Sequence, residues 1–347
     1  MPLHQNTFGI RSITGAYDCA MTTPLDLLDL RCIRAVADAG TITGAAGLLG
    51  YSQPAVTQRL RRAERLLGQP LVLRSGRGVT LTEAGRRLAR HAVHVQAALD
   101  AAEQDLDDLL GGSGGTVRLA GFPSASSTLV PAILSSLRIT HPNLVVSYVE
   151  AEPPEAMQLL REGAVDLALT FTYPGDARSS GRVDDDGVVE RALFRDTMLL
   201  VAPTGTSGEL ADLRDQRFIG GCPRCRGHLL ASCRAAGFEP DIVLETDNAL
   251  AVTGLVAAGL GVALLPALSL VSAALPVGVD VRAMPGSQDR IVHAATVVGA
   301  ERVPAVAACL RVLAALDPRP FGLRPAGTPP GAPVATAAST EPVGAAG

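Results

Sequence analysis

The chain has 347 residues, 47% of them hydrophobic, which is enough for two or three domains with sizeable cores. Its formal net charge of −4 excludes a uniformly basic nucleic-acid coat, and six cysteines are too few for a disulfide-stapled scaffold of this size. No stretch of about 18 uncharged apolar residues offers a membrane span, so no membrane partner is expected.

Residues 1–22 are expected to be a disordered arm. They lack the charged-then-apolar layout of a secretory signal, so the expected compartment is the cytoplasm. Met21 stands directly before the first helical pattern and is a second candidate start of translation. All basic residues are Arg; there is no Lys. Between Tyr51 and Arg90, nine arginines stand against Glu64 and Glu83, a local balance of +7 that leaves about −11 for the remainder. A basic module joined to an acidic domain follows.

Residues 23–82 are predicted to hold short helices and a hairpin. Thr43 is the predicted N-cap of a helix containing Ala45, Ala46, Leu48 and Leu49. After a turn at Gly50-Tyr51, Ser52 caps a second helix with Pro54 in its first turn, where a missing N–H costs little. Val56, Leu60, Ala63 and Leu67 recur as one buried stripe, while Gln53, Thr57, Gln58, Arg61 and Arg62 lie off it. The order helix, tight turn, polar basic helix is that of a helix-turn-helix, whose second helix enters the major groove. There Gln pairs with adenine and Arg with guanine. LVLRSGRGVTLT reads as a wing with Arg74 and Arg77 at its tip. The expected DNA-facing set is Thr43, Ser52, Gln53, Pro54, Ala55, Thr57, Gln58, Arg61, Arg62, Arg74 and Arg77. A solvated basic face of an ordinary bundle is the bland alternative.

Residues 83–115 are predicted to be a linker. A long helix from Thr82 to Leu110 places Leu88, Val95, Leu99, Leu106 and Leu110 along one side, and Gly111-Gly112-Ser113-Gly114-Gly115 stops it. From Thr116, strands (VRLAGF, LVVSYVE, VDLALTF, TMLLVAP, DIVLE, GVALLP, IVHAATVV) alternate with helices. That alternation predicts an α/β fold of mostly parallel sheets with helices on both faces. Residues 317–347, rich in Pro, Gly and Ala, are expected to be disordered.

The run from Leu28 to Gly85 closely resembles the N-terminal domain of LysR-type transcriptional regulators. It carries that family's Ala45-Ala46, Ser52-Gln53-Pro54-Ala55, Leu67-Gly68 and Leu81-Thr82-Glu83-Ala84-Gly85, with Val72 where Phe is common. The resemblance implies a winged helix-turn-helix that binds double-stranded DNA and a dimer through the long helix. It also implies a tetramer that bends its promoter, with RNA polymerase as a further candidate partner. Residues 116–316 are then a two-subdomain effector-binding domain resembling a periplasmic binding protein. Residues 116–194 and 291–316 would form one subdomain and 195–290 the other, with a small effector between them.

Ligands in such sheets sit beyond the carboxyl ends of strands. The predicted effector site is Ser124, Ala125, Ser126, Thr170, Phe171, Gly220 and Thr246. Small hydroxyls at a helix start suggest an anion there, against the reading that they only cap the helix. Cys222-Pro223-Arg224-Cys225, with His228 and Cys233, is open to three readings: a redox pair, a zinc site or unrelated thiols. No cofactor is expected. A solute-binding protein without specific DNA binding is the alternative function. An enzyme is not expected, because no Gly-x-Ser-x-Gly, P-loop or His-Glu-x-x-His occurs.

Overall fold

The structure, a computed structural model, describes residues 25–75, 78–109, 114–176, 183–184, 186–284 and 289–327. The expected arm at 1–22 lies outside them. The chain divides into two units, Met1–Ala92 and Val93–Gly347.

In the first unit, α1 (Leu27–Ala39) opens with a reciprocal cap. The Asp26 carboxylate accepts from Asp29 N–H and the Asp29 carboxylate from Asp26 N–H. Helix α2 (Ile42–Leu49) is capped by Thr41, whose Oγ1 accepts from Gly44 N–H at 3.0 Å. This corrects the expectation for Thr43, which is exposed one residue inside the helix. Only the residue before the first helical one has its side chain beside the free N–H groups. Helix α3 (Gln53–Leu67) is capped by Ser52, as its sequence implies. Its Val56, Leu60 and Ala63 are buried against Ile33, Val36 and Ala45, with Leu67 packed at the edge.

Strands β1 (Val72–Ser75) and β2 (Gly78–Leu81) form the antiparallel wing. Val79 N–H donates to Gly40 O at 3.0 Å, which hooks the wing to the turn between α1 and α2. Helix α4 (Glu83–Leu109) follows. Thr82 Oγ1 accepts from Gly85 N–H and donates to Pro70 O. A Cβ on Gly85 would lie 2.1 Å from Leu71 O, so only glycine permits this approach of helix to wing. Leu88 packs on the first unit's core and Val93 and Ala97 on the second unit's, whereas Val95 and Leu106 are exposed.

The second unit continues with β3 (Thr116–Gly121), α5 (Pro123–Ser126), α6 (Leu129–Thr140), β4 (Val145–Glu150), α7 (Pro153–Arg161), β5 (Leu167–Thr172) and β6 (Val188–Asp196). The chain then crosses through Thr197 to β7 (Met198–Pro203), β8 (Arg217–Gly220), α8 (Pro223–Ala235), β9 (Asp241–Glu245), α9 (Ala249–Ala257), β10 (Ala263–Pro266) and β11 (Val279–Ala283). It returns with β12 (Arg290–Val297), α10 (Pro304–Ala315) and β13 (Leu323–Pro325). The larger sheet has the order β13-β6-β12-β5-β3-β4, and β10-β7-β11 and β8-β9 are smaller sheets.

The sheets are mixed, which corrects the expectation of mostly parallel ones. Strands β3, β4 and β5 are parallel to one another, as are β8 and β9, and helical crossovers join both sets. Strand β12 re-enters between β5 and β6 antiparallel to both, and β10-β7-β11 is antiparallel throughout. The tail is a second correction. Strand β13 pairs with β6, and Arg324 is buried with its guanidinium on Asp289 at 2.7 Å. Low-complexity composition hid three residues whose partners lie far back in the chain. Residues 328–347 lie outside the described residues.

Candidate DNA-reading helix and effector cleft

The outer face of α3 carries the first site. Ser52, Gln53, Pro54, Gln58 and Arg61 are exposed, and Ala55 and Thr57 are half-buried. Gln53 Nε2 donates to Thr57 Oγ1 at 3.3 Å, and Thr57 Oγ1 donates to Gln53 O at 2.9 Å. One helix turn on, Arg61 and Arg65 extend the same face. Among the described residues neither has a carboxylate partner.

Arg62 is placed otherwise. Its guanidinium meets Asp29, whose side chain is 0% exposed, and Arg59 reaches Asp26 at 2.6 Å and Asp29 at 3.4 Å. Both arginines therefore clamp α3 to the start of α1. The Asp29 N–H, followed by Arg59, holds the Asp26 carboxyl below its ordinary range. Glu64 likewise turns inward and accepts from Leu71 N–H and Val72 N–H at the foot of the wing. The side chain of Arg74 and the whole of Arg77 lie outside the described residues.

A cleft in the second unit is the other site. Phe122, Ser124, Glu152 and Phe171 line it from the large-sheet side, and Gly220, Cys222, Cys225, Thr246, Asp247 and Leu265 from the other, with Arg290 in its wall. Four residues expected from sequence are present: Ser124, Phe171, Gly220 and Thr246. Three are not. Ala125 is fully buried, Ser126 Oγ is bound to Tyr148 Oη at 2.5 Å, and the buried Thr170 Oγ1 donates to Glu190 at 2.9 Å. Thr170 and Phe171 are strand neighbours and point to opposite faces, so only one of them faces the cleft.

The residue that organises the cleft, Arg290, escaped the sequence reading. It lies between Phe122 and Phe171, its guanidinium carbon 4.9 and 4.5 Å from their ring centres. It donates to Asp196 at 2.8 Å and to Ser124 Oγ at 2.7 Å. Burial raises the Asp196 carboxyl, against the opposing pull of Arg290. Glu152 sits just before α7 without capping it, and its buried Oε2 has no partner among the described residues. Burial, reinforced by the charge of Asp247, raises its pKa.

Among the described residues, the cysteine cluster does not gather as a zinc site would. His228 stacks on Tyr173 with centroids 4.1 Å apart, and Cys233, near the end of α8, is buried in a separate core cluster, so the four side chains do not converge.

The pattern "Bacterial regulatory helix-turn-helix protein, lysR family" matches residues 27–86, and "LysR substrate binding domain" matches residues 110–317. The chain belongs to the LysR family. It is 29% identical over 290 residues to the "Probable HTH-type transcriptional regulator LrrA" of Synechococcus elongatus, covering 83% of this chain and 96% of that one. It is 43% identical over 157 residues to the HTH-type transcriptional regulator AbaB of Streptomyces antibioticus, covering 44% of this chain and 51% of that one. In fold it matches a full-length OxyR from Pseudomonas aeruginosa at a TM-score of 0.61 and 22% identity, covering 84% and 93% of the two chains. The LysR family consists of transcription regulators, so this chain is a DNA-binding regulator with an effector-binding domain rather than a solute carrier. For this LysR protein, the signals that sequence reading overlooked were acidic. Asp26 and Asp29, a helix start with two carboxylates, foretell basic partners on a neighbouring helix.

Proposed function

We propose that α3 reads operator DNA through Gln53, Thr57, Gln58, Arg61 and Arg65. Ser52, Pro54 and Ala55 seat its first turn against the backbone, and Thr43, Arg74 and Arg77 meet flanking phosphates. The observation that carries this reading is the division of arginines on one helix. Arg59 and Arg62 are turned to Asp26 and Asp29, and Arg61 and Arg65 to solvent. Binding measured against salt is the test: each phosphate contact contributes a slope of about −0.9 in log K against log salt. Arg61→Ala is expected to weaken operator binding at moderate salt with the fold intact; unchanged affinity refutes the assignment.

The cleft binds a small molecule that stacks on Phe171 and Phe122, meets Ser124, Gly220 and Thr246, and presents a hydrogen-bond donor to Glu152 Oε2. Helix α5, at Ser124, has only four residues and begins with a proline, so it offers an anion few free N–H groups. Two carboxylates, Glu152 and Asp247, line the cleft from its two sides. Two copies pair through α4, where Val95 and Leu106 stand exposed; Leu106→Asp is expected to shift the sedimentation of the full chain toward monomer. The protein works in the cytoplasm, where its DNA is, and performs no catalysis.

A further inference from the structure

We infer that Cys222 and Cys225 form a redox-modification site in the cleft wall, a dithiol that closes to an intramolecular disulfide by exchange with a low-molecular-mass disulfide. The cleft-setting role given to it below rests on the reading of this cleft as the effector site.

The two sulfurs lie 3.0 Å apart at the start of α8, Cys222 as its N-cap and Cys225 in its first turn. A disulfide bond is about 2.05 Å, so a side-chain adjustment of about 1 Å suffices. Tyr173 Oη donates to Cys225 Sγ at 3.6 Å. The hydrogen bond from Cys222, the phenol of Tyr173 and the charge of Arg290 together lower the Cys225 thiol to about 7 despite burial. The hydrogen bond to Cys225, and then burial, push Cys222 up. Burial raises the other described cysteines: Cys32 and Cys233 to about 11 and Cys309 to about 12. Both residues line the cleft, Cys222 as a buried residue and Cys225 as a half-buried one.

The step balances. The Cys225 thiolate attacks one sulfur of RS–SR, forms a mixed disulfide and releases RS⁻, which takes a proton from water. Cys222 gives up its thiol proton to the solvent. Its sulfur attacks Cys225 Sγ and expels the second RS⁻. Two protein thiols and one disulfide become one protein disulfide and two RSH.

The consequence falls on the cleft. Oxidation turns the Cys225 sulfur to which Tyr173 donates into a disulfide sulfur, a weaker acceptor, and removes the Cys222 S–H from the cleft wall. Tyr173 stacks on His228 and meets Phe171 edge-on at 5.5 Å, and Phe171 carries Arg290. The redox state of the pair therefore sets the ligand-binding wall.

The full chain, equilibrated in mixtures of glutathione and glutathione disulfide, quenched and alkylated, is expected to lose reactivity at Cys222 and Cys225 together. Closure is expected at least about tenfold more readily than any oxidation of Cys32, Cys233 or Cys309. Cys222→Ser is expected to trap glutathione on Cys225, and Cys225→Ser to leave Cys222 unmodified. Both thiols still alkylated at the most oxidising ratio, or glutathione on Cys222 in the Cys225→Ser protein, overturns the site. Faster closure by an equal concentration of hydrogen peroxide overturns the choice of oxidant. Amide exchange at Phe171–Tyr173 is expected to differ between the two redox forms, and identical exchange overturns the link to the cleft. None of these readouts uses DNA or effector, so a failure of the proposed regulator function is seen separately, in salt-dependent DNA binding.

Discussion

Asp29 in the DNA-binding unit and Asp196 in the effector unit are both fully buried and both held by arginine, but the arginines differ. Arg59 and Arg62 keep 35% and 41% of their side chains in solvent, whereas Arg290 keeps 3%. The first pair leaves its positive ends largely hydrated, so it acts as a clamp between two helices at modest desolvation cost. The second takes both charges out of water and is tolerated only because Leu268 N–H, Ser124 Oγ and two aromatic rings add partners. Position matters as well. Asp196 ends the strand before the first crossing and Arg290 begins the strand after the second. A ligand that touches Arg290 is thereby connected to both crossings, and one that disturbs Arg62 reaches only α1.

Removing Arg290 should give the largest effect. Arg290→Ala strands a buried carboxylate and is expected to cost about 3–5 kcal/mol in urea unfolding of the full chain, most of it restored by adding Asp196→Leu. Equal stability of the single and double variants would show that the pair is not the constraint inferred here. Next comes His228. Burial lowers its pKa to about 4, so it is neutral in the fold and charged first in the unfolded chain. Its contribution is complete above about pH 6.5, falls as pH drops toward about 4 with a slope of at most about 1.4 kcal/mol per pH unit, and is flat below. His228→Phe should remove that part of the stability profile. The smallest effect sharpens the contrast on α3. Arg62→Ala is expected to lower stability by about 1–2 kcal/mol, while Arg61→Ala should stay within about 0.5 kcal/mol. If Arg61 proves the more destabilising, the assignment of clamp and reader is reversed.

The legible parts of this protein are those in which neighbours in sequence are neighbours in space. The stripe of α3, the Ser52 cap, the wing and the long α4 follow from periods and caps within some fifteen residues. The error at Thr43 was one of position within a single turn. Strands rich in Val and Leu were readable, but β6, β8, β11 and β13 were not, because charged or short segments there pair with distant partners. Which way a visible side chain turns was harder still. Arg62 looked like Arg61 until Asp29, 33 residues back, was placed beneath it.

By itself the sequence determined the DNA-binding fold, the linker helix and the α/β character of the remainder, because local propensity and hydrophobic period act over a few turns of chain. Only the tertiary structure decided the mixed sheet, the strand drawn from the tail and the cleft. Arg290 meets Ser124 across 166 residues and Asp196 across 94, and Tyr173 meets Cys225 across 52. Contacts of that separation leave no period in the sequence; they exist only once the crossings have closed.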